Sequence, residues 1–160
     1  MTLSRHHTLL SSVLFAALAT LAGCGGEDGD DMMGPGLGTG SMSMTLDGQA
    51  WTAVAANVDN SNGIIVTAAS NASGVAMGFA FLDNGPGTYT IGPGQVTNAN
   101  HSTQGGNLWL ASGSQGSGTL VVTTLTSTRV AGTFAFEMVA FAQETPPTRS
   151  ITNGVFDIEF

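Results

Sequence analysis

The chain has 160 residues, 42% apolar and only 9% charged, which is enough for one domain with a real core plus appendages. It has no lysine, three arginines and eleven acids; with so few cations to neutralise phosphates, nucleic acid is excluded as a partner, and so is a basic patch on anionic lipid. The 23 glycines and 5 prolines stay below the roughly 25–30% at which low-complexity disorder becomes the default.

Residues 1–7, MTLSRHH, carry one firm positive charge at Arg5, and the sixteen residues that follow, TLLSSVLFAALATLAG, carry none. A basic start, an apolar run and small residues at its end describe a secretory signal peptide, helical and covering 1–23. The run is short for a membrane-spanning helix, which needs about 20 residues. The only cysteine, Cys24, follows immediately. Leu21-Ala22-Gly23-Cys24 resembles the lipobox of bacterial lipoproteins at all four positions. That resemblance implies a diacylglyceryl thioether on Cys24 and cleavage before it, with Leu21, Ala22 and Gly23 read by the lipoprotein signal peptidase. The residue types suit the chemistry: a thiolate is the nucleophile for such an alkylation, and no second cysteine competes for a disulfide. Two acyl chains anchor stably where one holds only marginally. The membrane partner is therefore reached through the lipid on Cys24. Gly25, rather than aspartate, follows the cysteine, which by analogy with diderm lipoproteins implies the outer membrane or cell surface instead of the inner membrane. Without its leader the chain keeps two arginines against eleven acids, a net charge of −9.

Residues 24–41 read as a lipidated cysteine followed by a flexible, acidic, glycine-rich linker. Its four acids, Glu27, Asp28, Asp30 and Asp31, lack the ordered spacing of a calcium loop.

From residue 42 to 160 the chain reads as strand after strand. MSMTLDGQAWTAVAA (42–56) places Asp47-Gly48, a favoured two-residue hairpin turn, between alternating runs. A turn there pairs Leu46 with Gln49 and Met44 with Trp51, so Met42, Met44, Trp51 and Ala53 share a face. GIIVTAAS (63–70) is a further strand. GVAMGFAFL (74–82) puts Val75, Met77, Phe79 and Phe81 on one face. After the turn DNGPG comes TYTI (88–91). The polar stretch 92–107 predicts loops with at most a short strand, and NLWLAS (107–112) predicts a strand. In 118–140, two strands meet near Thr126–Thr128. In the second, Val130, Phe134, Phe136 and Met138 alternate with Arg129, Thr133 and Glu137, the clearest period-two signal in the chain. ITNGVFDIEF (151–160) closes the domain with Phe156, Ile158 and Phe160 on one parity. About nine antiparallel strands, each apolar on one face, predict an all-β sandwich, with a small β-barrel as the alternative.

The domain also resembles an uncharacterised family of small β-rich bacterial lipoproteins. The matching stretches are Asp47 to Trp51 (DGQAW), Gly85 to Thr90 (GPGTYT), Arg129 to Phe136 (RVAGTFAF) and Thr152 to Asp157 (TNGVFD). The resemblance implies fold and location and no activity.

Catalytic residues are hard to assemble. His101, the only histidine after the leader, sits in NANHSTQ and reads as a solvated loop residue; beside Ser102 it cannot build a triad, and no GxSxG elbow is present. One histidine is too few for a zinc site, so neither metal nor cofactor is expected. Asp157 and Glu159 share a strand face but read as solvating acids that deter edge pairing. DNSNG (59–63) reads as a turn. Trp109 is the one weak binding candidate: if Leu108 and Leu110 point inward, its indole points out and can stack on a sugar or protein partner; otherwise it belongs to the core. The sequence thus predicts a lipid-anchored, extracytoplasmic binding or structural module and not an enzyme. A lipocalin-like carrier of a small apolar ligand is the alternative, and a hydrolytic enzyme comes third.

Overall fold

The computed structural model describes residues 39–159, so the leader, Cys24 and the linker up to residue 38 lie outside the described residues, as does Phe160, while Gly40 and Ser41 at the linker's end already belong to a strand. The described residues form eleven antiparallel strands and no helix. They are β1 (Gly40–Leu46), β2 (Gln49–Thr52), β3 (Ala55–Ser61), β4 (Ile64–Ser70), β5 (Ala76–Leu82), β6 (Gly87–Ile91), β7 (Asn98–Ser102), β8 (Leu108–Ala111), β9 (Ser117–Leu125), β10 (Arg129–Ala140) and β11 (Thr148–Glu159). The all-β expectation holds, with two strands more than expected. One is β3, which the alternating run 49–56 had absorbed. The other is β7, in the stretch 92–107.

The β1–β2 hairpin has the register its turn demands, Leu46 opposite Gln49 and Met44 opposite Trp51. Asp47 and Gly48 both take positive φ, 48° and 81°, the pair of left-handed residues that a type I′ turn requires. Across the molecule the strands run β2-β1-β11-β10-β8-β7-β5-β4-β3, and the sheet forks at β10. One edge of β10 pairs with β11. The other pairs with β9 as far as Glu137 and then with β8 at Val139 and Ala140. β9 continues to β6. The sheet curls on itself, so that β3 contacts β1 and β11.

The two halves of this curled sheet face each other across an aromatic centre. Phe79 of β5 is hydrogen-bonded in ladders only toward β4 and β7. Yet its ring lies 5.3 Å from that of Phe134 and 6.1 Å from that of Phe136 on β10, and 5.1 Å from that of Phe156 on β11. These are contacts between layers, in the tilted or edge-on geometries that aromatic quadrupoles favour. Val130, Met138, Ile151, Ile158, Leu120 and Met77 fill the space around them, each buried. The interior that a lipocalin-like carrier would keep for cargo is occupied by these side chains.

β11 contains one residue more than either neighbour. Phe134 pairs with Gly154 but Phe136 with Ile151, and on the other side Ser43 pairs with Val155 but Thr45 with Thr152. The extra residue is accommodated at Asn153, whose φ is 52°, a β-bulge in Thr152-Asn153-Gly154. It shifts the inward series from Ile151 to Gly154, Phe156 and Ile158. Gly154 is fixed by its neighbour: a Cβ there would overlap the Phe134 ring.

Candidate functional site

One interior row collects most of the domain's unusual polar chemistry. Met77 on β5 lies opposite His101 on β7, and His101 lies opposite Trp109 on β8. Directly opposed residues of antiparallel strands point to the same face, and here that face is the core: the exposures are 1% for Met77 and 0% for both His101 and Trp109. Ala99 and Ala111, the next inward residues on β7 and β8, are buried too, and their small side chains leave room for the imidazole and indole.

His101 is therefore neither solvated nor in a loop, contrary to the reading of NANHSTQ. The strand NANHS turns Ala99 and His101 inward while Asn98, Asn100 and Ser102 stay half-buried on the other side. His101 and Ser102 consequently face opposite ways, which removes the paper triad. Trp109 is likewise an interior residue: with no exposed surface its indole cannot stack on a sugar or partner. Its Nε1–H donates to the carbonyl of Pro146 at 2.8 Å, and its ring meets the His101 imidazole edge-on at 5.4 Å.

Arg149 closes the row at the solvent end. It shares the inward parity of Ile151 and pairs with Met138 across β10. Its guanidinium lies 4.4 Å from the Trp109 ring centroid, a cation–π contact. Nη1 donates to Asp47 Oδ2 at 2.6 Å. Asp47 Oδ1 accepts from the Ser150 backbone N–H at 2.8 Å, and the Asp47 N–H donates to the Ser150 carbonyl at 2.9 Å. Ser150 Oγ donates to Glu137 Oε1 at 2.6 Å. The hairpin turn that opens the domain is thus pinned to its last strand.

Two consequences follow for His101. Burial, reinforced by the nearby Arg149 charge, pushes its pKa from 6.5 down to about 4. The imidazole is neutral at neutral pH, and both of its buried nitrogens lack a hydrogen-bond partner. Such groups are rare in folded proteins, and each calls for a reason.

The other sequence candidates separate. Asp157 is an ion-pair partner: Arg129 donates Nε and Nη2 to its two carboxylate oxygens at 2.8 and 2.6 Å. That pairing holds the Asp157 carboxyl below its ordinary pKa. Glu159 is exposed and lies opposite Arg129 in the ladder. DNSNG is a turn only in part: Asp59, Asn60 and Ser61 end strand β3, paired with β4, and Asn62-Gly63, both at positive φ, make the turn; Asn60 Nδ2 donates to Asp83 Oδ2 at 3.2 Å. Among the described residues, no three His, Cys, Asp or Glu side chains converge on a possible metal position.

On the outside, the β6-β9-β10-β11-β1-β2 face carries an uncharged row in register: Thr88, Val121, Thr133, Val155, Ser43 and Thr52. Beside the β11 bulge it holds an open hollow of about 420 Å³ lined by Thr119, Thr133, Asn153, Val155 and neighbours.

The chain belongs to the family described as Domain of unknown function (DUF6252), whose pattern matches residues 38–157. No curated protein and no solved structure matches it.

Proposed function

We propose that this protein is a lipid-anchored extracytoplasmic module that binds or braces a partner at the outer membrane or cell surface and performs no chemistry of its own. The observation that carries this reading is Leu21-Ala22-Gly23-Cys24 at the end of an uncharged sixteen-residue run. The distribution of the rest of the chain supports it. Among the described residues the first strand begins at Gly40, sixteen residues beyond Cys24, which bounds the reach between them at roughly 55 Å. Two acyl chains on Cys24 hold the protein at the bilayer without help from the domain's surface.

The position of His101 also argues for a module. General acid–base catalysis needs the imidazole within hydrogen-bond reach of a substrate, and this one is sealed in the core. The partner, protein or carbohydrate, is neutral in this reading: the outer face offers hydroxyls, an amide and methyl groups around an open hollow.

Fractionation of diderm cells expressing the full chain and its Cys24→Ala variant tests the proposal. The native chain should sediment with outer membrane and release only with detergent, while the variant should not. Equal distribution of the two, or retention of both in the cytoplasm, would overturn it. Reproducible hydrolase turnover by the purified protein would overturn the non-catalytic part.

A further inference from the structure

We propose that Met77 and His101, with Trp109 alongside, form a soft-metal site that takes a monovalent d¹⁰ ion, Cu(I) or its redox-inert mimic Ag(I), through thioether sulfur and imidazole nitrogen. The inference is independent of the anchoring and partner readings above.

Three observations carry it. First, both nitrogens of a fully buried imidazole are unpartnered, and an unsatisfied buried polar group calls for an ion, a water or a functional role. Second, the cross-strand neighbour on one side of His101 is a buried methionine. Directly opposed side chains have Cβ atoms about 4.5–5.5 Å apart, so the flexible thioether and the ring nitrogen can converge on one ion between them. Third, the indole on the other side packs edge-on against the imidazole at 5.4 Å and fixes that ring's position in the row.

Ligand chemistry and charge select the ion. Thioether and imidazole suit Cu(I), whereas calcium and magnesium demand several oxygens and zinc three or four nitrogen, sulfur or carboxylate ligands. The charged groups beside the row are Arg149 from β11 and Asp47 from the β1–β2 turn; Glu137 of β10, bonded to Ser150, lies exposed on the outer face. Arg149 and Asp47 pair with each other at 2.6 Å, but at His101 the Arg149 charge outweighs that of Asp47. With that net positive influence on the imidazole, a singly charged ion is disfavoured less than a doubly charged one. Beside the row, Arg149 and Asp47 reach solvent, with side chains 19% and 33% exposed.

The test uses the Cys24→Ala full chain with ¹³C-methyl-labelled methionine, titrated with Ag(I) and followed by methyl NMR and native mass spectrometry. Cu(I) competition against a chromophoric chelator supplies the affinity. Binding should move the Met77 methyl signal and the His101 ring nitrogens together, at one ion more per chain than the His101→Phe variant takes. Met77→Leu, which preserves the packing volume, should weaken that ion at least tenfold. If Ag(I) leaves the Met77 signal unmoved, or both variants bind like the parent, the proposal fails. A His101 nitrogen shift that shows an ordered water and no response to Ag(I) overturns it equally.

Discussion

Replacing Phe79 by alanine removes the side chain that joins the two layers. Phe79 is 1% exposed and its ring touches four others, those of Phe81, Phe134, Phe136 and Phe156, with centroids 6.4, 5.3, 6.1 and 5.1 Å away. The rings opposite are held by strands β10 and β11, which are themselves paired along most of their length, so the vacated space cannot collapse easily. A truncation of this kind costs about 3–5 kcal/mol, and a domain of this size is stable by roughly 6–18 kcal/mol. With a urea m-value of about 2 kcal/mol/M, the unfolding midpoint should fall by roughly 1.5–2.5 M at unchanged m. Phe79→Leu should restore most of it. A loss below about 1 kcal/mol for Phe79→Ala would refute the reasoning, because it would mean that the centre is a loosely lined cavity of the kind a carrier needs.

The metal-free protein should lose stability on acidification through His101. Its folded pKa, about 4, lies below the ordinary 6.5, so the unfolded chain binds the extra proton: stability is whole above pH 6.5 and falls by about 3 kcal/mol on reaching pH 4. Urea midpoints across pH 7 to 4 in chelator should show this slope, and His101→Phe should flatten it. Asp47→Asn keeps a residue that tolerates the left-handed turn but removes the carboxylate from Arg149, and should cost about 1–3 kcal/mol by denaturation at low salt. Gly154→Ala places a methyl group against the Phe134 ring and should cost about 1–3 kcal/mol. Exposed Thr152→Ala beside it should stay within about 0.5 kcal/mol, so equal effects would contradict the bulge assignment.

What could be read from the sequence was whatever depends on local period. The Asp47-Gly48 turn and the alternation in Arg129–Ala140 are written in consecutive residues, and both registers hold. The β11 bulge left a signal that went unused: Ile151 is odd while Phe156 and Ile158 are even, so one regular strand cannot bury all three. Burial of His101 left no such signal. NANHS is polar by composition, and only Met77 and Trp109, 24 residues before and 8 after, make its inner face a core position. Trp109 was ambiguous for a related reason, since leucines flank it on both sides. Its partners Pro146 and Arg149 come from the far end of the chain. The ion pairs of Asp47 and Asp157 also span long separations, which explains why Asp157 looked like half of a carboxylate pair.

The proposed covalent attachment at Cys24 is tested most directly by the intact mass of the protein extracted from the membranes of the cells that make it. The expected species begins at Cys24 and carries a diacylglyceryl group on its sulfur. A chain that still begins at Met1, or one cleaved elsewhere with an unmodified thiol, would contradict it.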